Sequence, residues 1–421
     1  MAGNKPTTNR IRVPAVAAVV AIAAAGCSGG TPEAEAGGEL VWPVPAPQEG
    51  NSQATVDRWN EQNPDTPVRL ELLPEAADEQ RQQLSLELDA EGSGFDVLGM
   101  DVIWTGEFAE NGWIEPLGDL RGELDGALLE GAMNSATWDG ELWAVPYISG
   151  AAFLYYRSDL VDTPPTTWPE LMEVGLEVAE EEGDIAPFVG QGAQYEGMVV
   201  NYLEYLWSAE GDLFDEEMSE VVFGSDDAAL TALEFMRESQ ENGFYAPGYN
   251  TMAEEDARVE FQSGNAVFMR NWPYAYPLMM DEAESDVAGQ FDIAPMPTFT
   301  GQETISAVGG LNLAVSAFSE NKEAAKEFAL FAATDQEAQL EVAREFSQLP
   351  VLASAYDELS DDPVFQVLAD VVPHAKPRPP VPEWNEISVA MQQEMFAAYN
   401  GDKDPQEAID AVRSTLEGVV E

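Results

Sequence analysis

Trp272 and Tyr274, in the run Asn271-Trp272-Pro273-Tyr274, put two aromatic faces directly behind a predicted strand, and Pro273 argues for a loop there. Arg378 lies in KPRPPVPEW, where rigid flanking prolines fix the backbone and lower the entropy of presenting one long side chain. Asp101 follows the strand-like run FDVLGM, with Trp104 and Glu107 close behind it in DVIWTGEFA, and Gly309-Gly310-Leu311 begins another short strand. Planar amides, carboxylates and guanidinium groups take pairs of hydroxyls, and aromatic faces cover the C–H side of a pyranose ring. Placed where strands end at a cleft, these groups suit recognition of a neutral sugar. The blander alternatives are a core tryptophan for Trp272 and a surface ion pair for Arg378. For Asp101 position carries the argument, since any one acid is a weak signal in so acidic a chain.

The chain offers little other chemistry. Cys27 is its one cysteine and His374 its one histidine, which excludes internal disulfides, CxxC redox chemistry, Cys-rich zinc sites and multi-His metal sites. A Ser-His-Asp triad would depend on His374 in VPHAKPRPP, which reads as a loop. Asp101 and Glu107 could serve a glycoside hydrolase as acid and base. Such pairs arise by chance, however, among 78 acidic residues set against 18 basic ones. The expectation is therefore no catalytic residue, no cofactor and no metal. A net charge of −60 repels phosphate backbones and anionic headgroups, so nucleic acid is excluded as a partner. Only five of the basic residues are lysine. Self-repulsion on this scale is screened in concentrated salt, which points to a salt-adapted source.

A chain of 421 residues with 45% hydrophobic content implies two folded domains. Residues 1–26 read as a targeting segment: Lys5, Arg10 and Arg12 precede a thirteen-residue apolar run, Val13 to Ala25, too short to span a bilayer. Ala24-Ala25-Gly26-Cys27 resembles a bacterial lipobox, making Cys27 the expected lipidation site, although Ala24 stands where Leu is usual. Residues 27–38 are small, polar and acidic, as a flexible tether is. From residue 39 a strand (ELVWPV), a helix carrying Val56 and Trp59, and a strand at 68–73 give β-α-β order and a right-handed crossover. Asp139-Gly140 turns a hairpin, Thr167 caps a helix opened by Pro169 and Glu170, and Asp404-Pro405 starts the last helix. The stretch 291–333 leaves one lobe by a strand, forms a new strand at Gly309-Gly310 and adds a helix with Ala324, Phe328 and Phe331 on one face.

Several of these runs resemble family 1 extracellular solute-binding proteins, the sugar-capturing components of ABC importers. They include VDRWNEQNPDTPVRLELLP, LYYRSDL, PPTTWPEL, NWPY, the double glycine and the Pro-Arg-Pro run, spread over residues 39–421. The resemblance implies an α/β, two-lobe periplasmic-binding-protein fold of type II (Venus-flytrap). Each lobe would be a mixed, mostly parallel sheet flanked by helices, with extra C-terminal helices. It divides the chain into a first lobe of 39–147 plus 299–334 and a second of 148–298 plus 335–421. The implied function is capture of a disaccharide or oligosaccharide of the trehalose/maltose class, with no enzymatic step and a permease as partner. The protein would be a monomer outside the cell membrane, held there only by its lipid anchor.

Residue by residue, the resemblance makes Trp272 a stacking platform, with Asn271 and Tyr274 beside it. Gly309 and Gly310 become backbone donors, Arg378 and Asp101 ligand-facing charges, Trp104 a neighbour and Glu49 a further candidate. Two departures stand out: Leu311 replaces a stacking Trp, and Gly150 replaces an Asp or Asn, which leaves the exact disaccharide in doubt. Another glycoside, a polyol or a polyamine remains the alternative ligand, and a hydrolase the alternative class.

Overall fold

The computed structural model describes residues 38–215 and 217–420. The expected signal peptide, most of the tether and Cys27 lie outside the described residues. The first lobe opens with β1 (Leu40–Pro45), β2 (Val68–Leu73) and β3 (Val97–Asp101), followed by a small hairpin, β4 (Thr137–Trp138) and β5 (Glu141–Leu142), and then β6 (Val145–Ala151). The second lobe holds β7 (Phe153–Tyr156), β8 (Ala186–Val189), β9 (Ala266–Asn271) and β10 (Asp292–Ala294). The chain then returns with β11 (Val308–Val315) and β12 (Leu349–Pro350).

β1 and β2 pair in parallel, and the main first-lobe sheet runs β12-β6-β11-β3. The second-lobe sheet runs β10-β7-β9-β8. The second-lobe sheet is mixed, with β8 and β9 parallel, whereas every pairing in the four-stranded first-lobe sheet is antiparallel, so "mostly parallel" describes the pairing of neither. β3 and β6 run the same way with β11 reversed between them, and β9 and β10 the same way with β7 reversed between them. The cause is topological: the strand that enters each lobe at the crossing inserts into the middle of the sheet, not at its edge.

Local chemistry sets the elements as expected in most places. Thr167 accepts from Glu170 N at 3.3 Å to cap the helix Trp168–Glu182, and helix Glu49–Gln62 stops just before Asn63-Pro64. In helix Lys322–Thr334 the buried stripe is Ala325, Phe328, Ala329 and Ala332, not the face through Ala324. Phe331 still reaches Trp59, at 5.3 Å between ring centres.

One boundary moves. Helix Gln336–Phe346, expected with the second lobe, packs on helix Glu49–Gln62 of the first. Gln339 fixes it there, donating to Tyr147 O of β6 at 3.0 Å and accepting from Val351 N at 2.8 Å. β12 then joins β6. A third passage between the lobes therefore falls in the proline-rich run, where Lys376 lies beside Ala307 and bonds to Ser306 and Val308. Beyond it, helix Trp384–Tyr399 packs on the second-lobe helices Glu196–Ser208 and Ala228–Glu241. Arg378 consequently sits on a connecting segment between the two lobes.

Candidate functional site

Sheet register assembles the site. In β11, Gly309 lies opposite Gly150 and Gly310 opposite Ser149, while Leu311 faces Ile148 of β6 on one side and Asp101 of β3 on the other. Gly310 has φ +139°, and a Cβ there would come within 2.3 Å of Ile148 O, so only glycine fits. A Cβ on Gly309 would press within 3.0 Å of the Trp272 ring. That ring arrives from the second lobe, just after β9 ends at Asn271.

Trp272 is held from behind. Arg270 places its guanidinium 4.2 Å from the centre of the indole, Tyr155 OH donates to Trp272 O at 2.7 Å, and Asn271 Oδ1 takes Trp272 N–H at 2.8 Å. The opposite lobe supplies Asp101. Its Oδ1 accepts from Arg378 Nη2 at 2.6 Å and caps the turn Val102–Trp104 through Ile103 N at 3.1 Å. Arg378 bonds through Nη1 to Glu196 Oε1 at 2.7 Å, so one guanidinium joins a first-lobe and a second-lobe carboxylate. It is 3% exposed, and its Nε has no partner among the described residues.

Glu196 is crowded. Trp384 Nε1 donates to it at 2.9 Å, Ser388 Oγ bonds it, and its backbone N–H reaches Asp78 Oδ2 of the first lobe at 2.8 Å. Burial raises its carboxyl above the usual carboxylate range, and Arg378 works in the opposite direction. Burial first, and then the adjacent acids, also push the Tyr195 and Tyr274 phenols up; they donate to Glu254 at 2.6 Å and to Glu255 at 2.7 Å.

These groups surround one cavity of about 150 Å3 between the lobes. Of the residues singled out in the sequence, Asp101, Gly150, Trp272 and Tyr274 line it, as do Gly309, Gly310, Leu311 and Arg378. Three others do not. Trp104 is buried and stacks on Phe108 at 6.0 Å, Asn271 is buried and donates to Glu254 O, and Glu49 is exposed at a helix start while its neighbour Gln48 faces the cavity. Glu107, the imagined partner of Asp101 in hydrolysis, is paired with Arg81 and lies outside the lining.

Glu196, Glu254 and Glu255 were not anticipated. Glu196 begins a thirteen-residue helix buried along its whole length, EGMVVNYLEYLWS, and acids inside so apolar a run are the signal that could have exposed it. No group of three or more His, Cys, Asp or Glu among the described residues could hold a metal ion.

Glu254 gives a direct test of these electrostatics. Burial raises its carboxyl, while the Tyr195 hydrogen bond acts to lower it. A carboxyl raised in the folded state favours folding at acid pH, and that contribution is lost as pH climbs through its folded value. Glu254→Gln keeps an acceptor for Tyr195 and removes the charge. Its midpoint of thermal unfolding should therefore rise relative to the parent at pH 8 and show little gain at pH 4. An equal shift at both values would contradict the assignment.

The profile of the bacterial extracellular solute-binding protein family matches residues 45–339. A probable ABC transporter-binding protein of Deinococcus radiodurans is 31% identical over 384 residues, covering 86% of this chain and 87% of that protein. The solved structure of maltose-bound T. maritima MalE3 superposes with a TM-score of 0.85 at 34% identity, covering 90% of this chain and 99% of the other. A Thermotoga lettingae solute-binding protein solved with α-D-tagatose is similar in fold, with a TM-score of 0.83 at 23% identity over 91% of this chain and 100% of that one.

Proposed function

The chain belongs to the bacterial extracellular solute-binding protein family, and from that premise we propose that it captures a neutral disaccharide or oligosaccharide of the trehalose/maltose class for an ABC importer. Its work is binding without catalysis. The observation that carries the sugar reading is Trp272. The indole is backed by Arg270 at 4.2 Å and bounds the same cavity as Arg378 and Asp101 of the opposite side. A fixed aromatic face opposed by planar charged groups is the chemistry of a pyranose, apolar on its C–H side and polar at its rim. The maltose held by the 34% identical T. maritima protein supports the same class.

Closure is a population shift: a ligand touching both lobes favours the form in which those lobes are close. Asp101 and Glu196, bridged by Arg378, belong to that form. Leu311 and Gly150 thin the polar and stacking contacts, which favours a smaller polyol or a different glycoside as the second reading. Anchoring through a lipid on Cys27 follows from the lipobox resemblance, and the mass of the mature N-terminus tests it.

Calorimetry in molar KCl against maltose, trehalose, mannitol and spermidine decides among the ligands. Maltose or trehalose is expected to bind, and Trp272→Ala to weaken it by roughly 30-fold or more, the scale of losing a stacked aromatic contact. Binding of spermidine alone would overturn the sugar reading.

A further inference from the structure

We infer that Asp78 is a positioning residue that sets affinity by holding the cleft shut, bonding to the second lobe and not to the sugar; this rests on the sugar reading above. Asp78 lies half-buried in the first turn of helix Ala77–Asp89 of the first lobe, outside the cavity lining. Both of its carboxylate oxygens reach across the cleft. Oδ2 accepts from Glu196 N at 2.8 Å, and Oδ1 accepts from Gln392 Nε2 at 3.1 Å.

Helix Glu196–Ser208 lacks a cap of its own. It starts behind Tyr195, whose side chain makes no capping bond and whose hydroxyl donates to Glu254 at 2.6 Å. The Glu196 carboxylate is turned away to Arg378, Trp384 and Ser388. The first N–H groups of a helix have no partner within it, and the positive end of its dipole favours an anion there. Most helices meet that need with a Ser, Thr, Asn or Asp at the preceding residue. Here the acceptor comes from the opposite lobe, so this helix start is complete only when the lobes are together. Gln392 extends the contact: its Nε2 also bonds Ser388 Oγ at 3.0 Å, and Ser388 bonds Glu196. Two first-lobe carboxylates therefore converge on one second-lobe residue, Asp101 through the Arg378 guanidinium at the cavity wall and Asp78 directly, outside it. Hydrogen bonds to a charged acceptor are the stronger kind. Those of Asp78 need no ligand atom, so they lower the cost of closing and tighten every ligand that binds the closed form.

Stopped-flow tryptophan fluorescence and calorimetry with maltose and trehalose test this in the parent and in variants. Asp78→Ala should weaken binding at least about tenfold, the scale of one charge-assisted hydrogen bond. The loss should lie in faster dissociation, with association within about twofold of the parent, because opening precedes release. It should be the same factor for each of the two sugars that binds. Asp78→Asn keeps an acceptor for Glu196 N–H and should return to within about threefold of the parent. Glu79, the next acid in the same first turn, is exposed and outside the cavity. Glu79→Ala removes a comparable favourable charge from helix Ala77–Asp89 and should leave both rates unchanged. If Asp78→Ala does not fold, Gln392→Leu carries the test from the second lobe, with dissociation expected to quicken about threefold. Unchanged dissociation in the variant that carries the test, an equal effect of Glu79→Ala, or losses that differ between the sugars by more than about threefold would overturn the inference and leave the sugar reading standing. Failure of the parent to bind maltose, trehalose and mannitol would remove the sugar reading and the inference with it.

Discussion

Replacing Arg378 by Met is expected to abolish measurable sugar binding and to lower stability by about 3–5 kcal/mol, the loss typical of breaking a buried ion pair on one side. The guanidinium is 3% exposed and is shared by Asp101 at 2.6 Å and Glu196 at 2.7 Å. Its removal leaves two carboxylates facing each other across the cleft. Burial already raises the Glu196 carboxyl, and Arg378 is the largest influence opposing that rise. Without Arg378 the carboxyl climbs further. Stability contributed by a group so raised is present at acid pH and lost as pH rises through its folded value. The deficit of Arg378→Met should therefore be larger at pH 8 than at pH 5 when unfolding is followed by urea titration. The triple variant Arg378→Met, Asp101→Asn, Glu196→Gln should recover part of the stability and none of the binding. A deficit that does not change with pH would mean that the three groups do not act as an electrostatic unit.

The lobes and much of this cleft were legible in the sequence because their signals are local. Asn271-Trp272-Pro273-Tyr274 declares a strand end by its proline, and Gly309-Gly310 declares a close approach of backbone and ring by its lack of side chains. What could not be read there is set by partners far along the chain. Trp104 looks like a cleft aromatic beside Asp101, yet the one-turn 3-10 segment Val102–Trp104 swings it into the core against Phe108. Glu49 and Gln48 differ by one step at a helix start, too fine a distinction for pattern reading. Helix Gln336–Phe346 carries an apolar stripe that would fit either lobe. Its place is decided by Gln339, whose bonds to Tyr147 O and Val351 N form only in the folded chain. That one attachment moves the third passage between lobes to the proline-rich run. It also explains why Arg378 can reach carboxylates from both sides.

Replacing Arg270 by Met should produce the other large effect, and by a route that joins the hinge to the stacking platform. Arg270 and Glu204 side chains are each 2% exposed and form a two-pronged pair, Nε to Oε2 at 2.9 Å and Nη2 to Oε1 at 2.8 Å. Gln191 takes a third bond at 3.0 Å. Glu204 Oε1 also accepts from Ala307 N at 3.0 Å, on the segment that crosses between lobes, and neighbouring Ser306 Oγ takes Ala152 N–H at 2.7 Å on another crossing. The pair thus ties two interlobe segments to the second-lobe core while its guanidinium backs Trp272. Removing the cation strands a carboxylate in an apolar helix, which should cost about 3–5 kcal/mol in urea unfolding. Adding Glu204→Gln should return at least about 1 kcal/mol, because the charge is gone and an acceptor remains for Ala307 N. Sugar affinity should not return with stability, since the indole has still lost the group behind it. Recovery of both together would show that Arg270 serves folding alone, and a loss below about 1 kcal/mol in the single variant would show that Glu204 finds its compensation elsewhere.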